Sequence, residues 1–362
     1  MLRAPAPTLS RYLRREVLAA VGLILFGFLG LFAFFDVLAE LRDLGRGQYH
    51  LQQLFTYVLL SAPTHAYELL PVAVLIGTLY VLSQLANNSE FTVMRAAGMS
   101  PAQAGGMLLR TGIVFAIATF VIGEWVAPAA EEAAQQVRMR AFSASIEQDL
   151  RSGLWFKDGR AYINVRVARD ARHLSGVRIY AFDADYTLSS ITSAERGDFL
   201  ASGAWHLSGV VQTRFAGGGP RTTPLAATEW QTAVTPELIS VLVVAPERMS
   251  AWGLYRYTQH LAGNRQKTSR YEIALWKKLF YPIATLVMMA LALPFGYLQA
   301  RSGMVGLKVF FGVIIGILFH MLNGLFAHVA LLQDWPPFAA AALPSAAFFL
   351  AAVLMMWWVE RR

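Results

Sequence analysis

Val17-Leu18-Ala19-Ala20-Val21-Gly22-Leu23-Ile24-Leu25-Phe26-Gly27-Phe28-Leu29-Gly30-Leu31-Phe32-Ala33-Phe34-Phe35 is an uncharged, apolar run. A helix rises about 1.5 Å per residue, so this run nearly crosses the ~30 Å hydrocarbon core of a bilayer. Arg11, Arg14 and Arg15 precede it, and Asp36, Glu40 and Asp43 follow. That asymmetry predicts a cytoplasmic N-terminus. Residues 1–10 lack the short apolar core and small-residue cleavage site of a signal peptide, so the run reads as an uncleaved anchor.

The same reading extends outward. Residues 54–86 are apolar but too long for one straight span, and Pro63, His65, Glu68 and Pro71 interrupt their first half. The pattern predicts an outer interfacial helix over 54–67 and span two over 69–85. Span three covers 102–126, with Arg110 near the inner side and Glu124 at the outer end. Residues 279–300, 309–332 and 338–359 contain no Asp, Glu, Lys or Arg and supply spans four to six. Arg361 and Arg362 then close the chain on the cytoplasmic side. Lys277 and Lys278 stand on the outer side of span four, against the simple charge rule. That rule weakens beside a large translocated domain.

Composition agrees. The hydrophobic fraction is 56% and the charged fraction 15%, where a soluble domain carries about 25% charged residues. The net charge of +8 reads as basic membrane flanks and not as a nucleic-acid surface. With no cysteine, disulfides and thiol chemistry are excluded. No Gly-Lys pair is present, so no Walker A loop can cradle ATP, and neither His-Glu-x-x-His nor Gly-x-Ser-x-Gly occurs. Uphill transport would need an energy source on a partner or in a gradient.

Residues 129–270 contain no membrane-length run. Leu154-Trp155-Phe156 and Ala161-Tyr162-Ile163-Asn164-Val165 flank Lys157-Asp158-Gly159-Arg160, which reads as a hairpin. Residues 177–182 and 187–192 flank Asp183-Ala184-Asp185, and 205–215 alternate before Gly217-Gly218-Gly219-Pro220. Short strands at this spacing predict an all-β sandwich or jelly roll. A helix over 249–261 would return the chain to the membrane.

Between spans two and three the chain reads Asn88-Ser89-Glu90-Phe91-Thr92-Val93-Met94-Arg95-Ala96-Ala97-Gly98-Met99-Ser100-Pro101. Ser89 suits an N-cap, Glu90 the first turn, and Gly98 the residue after the helix end. Ser100 and Pro101 open the next helix. A short helix over about 89–98 results, with Phe91 and Met94 on one side and Glu90 and Arg95 at its margin. It fits a cleft on a motor protein, and equally an interfacial position in lipid. Gly312 and Gly316 form a Gly-x-x-x-Gly in span five, and Gly22, Gly27 and Gly30 thin span one; both patterns suit helix packing. His320, Asn323 and His328 suggest interhelical hydrogen bonds. Arg42, Arg46, Arg138 and Arg140 fall just outside the membrane, where guanidinium can clamp phosphate or simply be solvated.

Several of these stretches resemble the lipopolysaccharide-export permease family LptF/LptG. They are Asp43-Leu44-Gly45-Arg46-Gly47-Gln48-Tyr49, the Ser89 to Ser100 helix, Gly123-Glu124-Trp125-Val126-Ala127-Pro128, Gly153-Leu154-Trp155-Phe156-Lys157-Asp158-Gly159, and Leu343-Pro344-Ser345-Ala346-Ala347-Phe348-Phe349-Leu350. The Gly-Glu-Trp-Val-Ala-Pro stretch favours the LptG branch over its LptF paralogue. The resemblance covers nearly the whole chain. It implies an α-helical membrane protein of six spans with an inserted periplasmic jelly roll: residues 1–128 hold spans one to three, 129–270 the β domain, and 271–362 spans four to six.

The implied function is the permease subunit of an ATP-driven exporter that extracts lipopolysaccharide from the bacterial inner membrane, both termini being cytoplasmic. The implied partners are an LptF-type permease subunit, an LptB-type ATPase dimer that carries the ATP and Mg, and an LptC-type single-span subunit. The chain itself would be no enzyme and bind no cofactor. Glu90, Phe91, Met94, Arg95 and Gly98 would meet the ATPase. Arg42, Arg46, Arg138 and Arg140 would hold the phosphates. Phe26, Leu29, Phe32, Phe319 and Phe326, with Gly312 and Gly316, would form the acyl cavity and lateral gate between span one of one subunit and span five of the other. Some family members carry lysines where this chain has Ala33, Phe34, Ala39 and Glu40, which shifts the expected clamp towards Arg42 and Arg46. A membrane-tethered β-domain adaptor and an envelope-lipid enzyme are the competing readings.

Overall fold

Apolar runs bounded by charge become long helices. The computed structural model describes residues 7–45, 49–142, 153–170, 172–200, 202–216, 219–232, 234–236, 245–263, 266–297 and 305–361. Among them six helices are long and apolar enough to cross a membrane. Span one is α1 (Pro7–Glu40) and span two is α2 (Leu51–Asn87). A short α3 (Glu90–Ala96) leads into α4 (Pro101–Val121), the start of span three. A π-helical turn, Ile122–Val126, joins α4 to α5 (Ala127–Phe142). After the strands come α6 (Ala251–Gly263), then spans four to six as α7 (Ser269–Tyr297), α8 (Val305–Leu332) and α9 (Pro337–Glu360).

Two expectations are corrected. The interfacial helix over 54–67 and span two are one rod, α2, with Pro63 and Pro71 inside it. Its 37 residues come to about 55 Å, well beyond the hydrocarbon core. A proline removes one backbone bond, and dense packing along α2 outweighs that loss. Span three likewise does not end at Val126. Its helix runs on to Phe142, and strand structure starts at Leu154, later than the boundary at Ala129. The π turn contains Glu124, four residues before Pro128, whose missing N–H would otherwise interrupt the ladder.

α2 and α7 form the centre of the bundle, sharing Leu75, Leu79, Leu82, Met288 and Leu291 in one core. α1 and α8 lean on α2, while α4 and α9 lean on α7. The apolar window of α2 is 78% buried, against 17% for α1 and for α8. Glycines set the closest crossings. A Cβ on Gly77 of α2 would lie 2.6 Å from Val21 Cγ2 and 2.9 Å from the Val21 backbone N. On α8, Gly312 faces Leu79 and Gly316 faces Val72, so the Gly-x-x-x-Gly packs against α2 within this chain. Gly22, Gly27 and Gly30 have nothing within 4 Å of a Cβ, so they thin α1 on a face that no other described residue covers.

The inserted domain is all-β. β1 (Leu154–Asp158), β2 (Ala161–Asp170), β3 (His173–Phe182), β4 (Leu188–Phe199), β5 (Trp205–Ala216) and β6 (Gly219–Trp230) pair antiparallel in sequential order in one sheet. Among the described residues the strands follow one another in a meander order, the inserted all-β domain of the expectation. The expected hairpin closes at Gly159-Arg160, with Asp158 opposite Ala161. In the turn between β3 and β4 Asp183 Oδ1 accepts from the N–H groups of Asp185 and Thr187 at 3.0 and 2.9 Å. Ile163, Val165, Leu174, Val177, Ala194, Trp205, Leu207 and Val210 build the inner face.

Three neighbouring strands break the alternation at one row. Leu174 and Val177, Ala194 and Gly197, and Leu207 and Val210 are inward pairs three apart. Leu174 pairs with Gly197, and Gly197 with Leu207. Gly176 and Gly209, in the row between, take φ of +65° and +64°, which glycine adopts without penalty. The result is a crease shared by β3, β4 and β5.

Candidate functional site

The short helix α3 is punctuated much as its residues dictate. Gly98 takes φ +93°, and Met99 N–H bonds back to the Met94 carbonyl at 3.1 Å, the six-to-one bond of a helix terminated by glycine. Ser100 and Gln103 then cap α4 reciprocally, at 3.2 and 3.0 Å. Ser89 departs from expectation: at φ +59° it is left-handed and not the extended residue of an N-cap. The apolar knob is also divided. Met94 packs against the core of the helix bundle, whereas Val93 is exposed. The side chains of Phe91 and Arg95 lie outside the described set. Glu90 accepts from Tyr12 Oη of α1 at 3.2 Å and from Asn88 Nδ2 at 3.4 Å, so α3 is tied to span one.

At the opposite end, nearer the sheet, α1, α2 and α5 share a polar layer. Glu40 is buried, accepts from Tyr49 Oη at 2.8 Å and lies 3.5 Å from Arg138 Nη1. Arg138 Nη2 reaches Asp43 at 3.1 Å, and its guanidinium sits 5.6 Å from the centre of the Tyr57 ring. Burial, then the Glu40 carboxylate, push the Tyr49 phenol above its ordinary range, so it stays a neutral donor. Glu131, 1% exposed, accepts from Arg248 Nη1 at 2.7 Å, Gln135 Nε2 at 2.9 Å and Thr64 Oγ1 at 3.3 Å. His65 Nε2 meets Asp36 at 2.7 Å.

Of the four arginines read as a clamp, Arg138 therefore faces two carboxylates, and its charge fastens α5 to α1. Arg42 is exposed beside it. Arg140 lies on α5 with its side chain undescribed, and Arg46 is outside the described residues. Sequence reasoning missed Glu131 and Arg248. Glu131, Gln135 and Arg138 are spaced four and three apart, one face of a helix, and that signal was available once α5 is read as helical.

Between the sheet-side ends of α2, α7 and α8 lies a cavity of about 290 Å³ lined by Tyr67, Glu68, Lys277, Lys278, His320 and Asn323, among others. Tyr281 donates to the Glu68 carbonyl at 2.6 Å, and its ring lies 4.7 Å from that of Tyr67. His320 and Asn323 thus line this cavity together with Glu68, Lys277 and Lys278.

The expected acyl wall is brought together only in part. Phe26 is 75% exposed on α1, Leu29 is half-buried, and Phe32 lies 5.1 Å from the His65 ring. Phe326 is half-buried near Trp335. Phe319 is a correction: it is 1% exposed and packs edge-on against Phe348 of α9 at 5.2 Å. Its position on α8 turns it into the bundle, a direction that residue type alone does not reveal.

Comparison with known proteins places this arrangement. The family described as lipopolysaccharide export system permease LptF/LptG matches residues 11–358. The lipopolysaccharide export system permease protein LptG of Haemophilus influenzae is 30% identical over 339 residues, 93% of this chain and 95% of the relative. Its counterpart in Escherichia coli K12 is 31% identical over 343 residues, 94% of this chain and 95% of the relative.

Proposed function

The chain belongs to the LptF/LptG family of lipopolysaccharide export system permeases, and from that premise we propose that it draws lipopolysaccharide sideways out of the inner membrane and passes it to the β domain. It is a multi-pass membrane permease subunit and not itself an enzyme. The observation that supports the lateral route is the exposure of α1 and α8. Both flank α2, and in both only 17% of the residues of the apolar window are buried by the described residues of this chain. An LptF-type subunit completes the cavity, an LptB-type ATPase dimer supplies ATP hydrolysis with its Mg, and an LptC-type single span packs nearby. Acyl tails dominate the gross affinity, at about 0.8 kcal/mol per buried methylene. Arg42, Arg46 and Arg140, with Arg138 held by its carboxylates, set headgroup depth. Both termini are cytoplasmic and the sheet is periplasmic.

A photocrosslinker at Phe26 is expected to label lipopolysaccharide, and one at Trp357 is not. Equal labelling at both positions, or none at Phe26, would defeat the lateral route. Orientation has its own check, since the chain has no cysteine. In intact cells Ser202→Cys should react with an impermeant thiol reagent and Ser89→Cys should not; the reverse pattern would invert the topology.

Energy input is assigned to α3. Glu90→Lys reverses a charge that sits between Tyr12 and the expected ATPase surface. Breaking an interfacial charge pair costs about 2–5 kcal/mol when the pair is buried and little at a rim. The expected result is loss of lipopolysaccharide-stimulated ATP hydrolysis in the purified complex. Hydrolysis and release at the parent level would remove α3 from the coupling route.

A further inference from the structure

Two charged side chains at the sheet-side ends of spans three and four hold one short segment. Glu124, in the π turn, accepts from the backbone N–H of Ala251 at 2.7 Å and of Trp252 at 3.1 Å. These are the first residues of α6, whose N–H groups have no partner within the helix and whose end carries partial positive charge. The ammonium of Lys278, itself buried, donates to the carbonyl of Met249. The start of α6 is thereby fixed at the level of Glu124 on span three.

That level is where the lipid-facing stripe of span three ends. Leu109, Ile113, Ile117 and Phe120 are exposed along α4, and Trp125 continues the stripe at 61% exposure with its ring edge-on to Phe120 at 5.8 Å. α6 continues it again. Leu254, Tyr257, Thr258 and Leu261 are buried against the rest of the protein, whereas Trp252, 64% exposed, and Tyr255 point outward and stack at 5.9 Å. Arg256 is exposed next to Tyr255.

We propose that α6 is an interfacial foot: it lies in the headgroup layer of the bilayer, with Trp125, Trp252 and Tyr255 at the acyl boundary and Arg256 against lipid phosphate. Tryptophan and tyrosine favour this layer because one end of each ring is apolar and the other can hydrogen-bond. A helix laid flat with such a face gains both apolar burial and attraction to anionic lipid. The foot also gives Lys278 a structural task, which accounts for a basic residue on the side of span four where charge bias predicts none.

The absence of cysteine allows a direct test in the full chain, reconstituted with the partner subunits that copurify with it, in nanodiscs of phosphatidylethanolamine and phosphatidylglycerol. Spin labels are placed singly through Trp252→Cys and Tyr255→Cys, with Ile117→Cys as the lipid reference and Ser202→Cys as the water reference. Accessibility to oxygen is then compared with accessibility to a water-soluble nickel chelate. Both α6 labels should report depths between the two references, at the phosphate level. Nickel accessibility equal to that at residue 202 would place α6 in water, and shielding from both reagents would mean that protein covers it; either result overturns the foot. Glu124→Gln should move the label at residue 252 towards the water value while the label at residue 117 stays unchanged. An unmoved label would show that Glu124 does not set the depth. If Glu124→Gln fails to accumulate, the labels in the parent chain still decide the proposal.

Discussion

Arg248→Ala is expected to lower the stability of the folded chain by about 3–5 kcal/mol, towards the lower end because the Arg248 side chain is 36% exposed. The loss is dominated by what remains. Glu131, 1% exposed in the parent where α5 meets α2, would keep only Thr64 and Gln135 as neutral donors. A desolvated carboxylate without its counter-charge is costly. Arg248 also ends the short helical turn that brings the chain from the sheet into α6, so the same substitution loosens that return. The measurement is the fraction of protein that remains monodisperse after heating in detergent. Glu131→Gln combined with Arg248→Gln should recover most of the loss, because no unpaired charge is then buried. If Arg248→Ala alone lies within about 1 kcal/mol of the parent, the pair behaves as a surface ion pair and Glu131 is wetter than its burial indicates.

Gly77→Leu is expected to force α1 away from α2. Even the first added carbon would stand 2.6 Å from Val21 Cγ2, 2.9 Å from Val21 N and 3.0 Å from Val21 Cα. A side chain can rotate away from such a contact, but backbone cannot, so the whole helix must move. Overpacking of this kind costs about 1–3 kcal/mol, occasionally more. The functional effect should be larger than the stability effect, since α1 is one wall of the proposed lateral route. Lipopolysaccharide capture by the purified complex should fall sharply, and spin-label distances between α1 and α2 should lengthen. Gly106→Leu on α4 is the control, because open space surrounds its Cβ position and it lies on neither wall of the proposed route. Equal capture by the Gly77 variant and the parent would mean that the α1–α2 crossing has no part in transport.

These tests use features of unequal legibility in the sequence. The spans were readable because an uncharged run of membrane length has few alternatives. Gly98, Ser100 and Pro101 were readable because each residue has a backbone preference that acts locally. The Gly159-Arg160 hairpin belongs to the same class. Pro63 and Pro71 misled, since a proline's local penalty says nothing about the packing around α2 that outweighs it. Phe319 and Met94 misled for a related reason: apolar type does not distinguish a side chain facing lipid or a partner from one facing the bundle. The pairs Glu40–Arg138, Glu131–Arg248 and Glu124 with α6 join residues far apart in sequence. Only the fold brings them together, and only then does the Gly123-Glu124-Trp125 stretch acquire separate tasks. Gly123 admits the Tyr67 ring, whose Cε2 would lie 2.4 Å from a Cβ there, and Glu124 caps a helix after the sheet.

The crease across β3, β4 and β5 has a consequence for how the sheet finds its pairing. In a flat sheet of antiparallel strands, sliding one strand by two residues keeps every apolar side chain on the inner face, so such slips are weakly opposed. Here each of the three strands changes side at one place, between Leu174 and Val177, Ala194 and Gly197, and Leu207 and Val210. A two-residue slip of β4 would set its change of side out of line with both neighbours. Over the intervening positions inward residues would then face outward ones, and Glu195, now between Gly176 and Gly209, would lie beside larger side chains. The three interruptions act like the notches of a key. They select one alignment of an otherwise repetitive ladder.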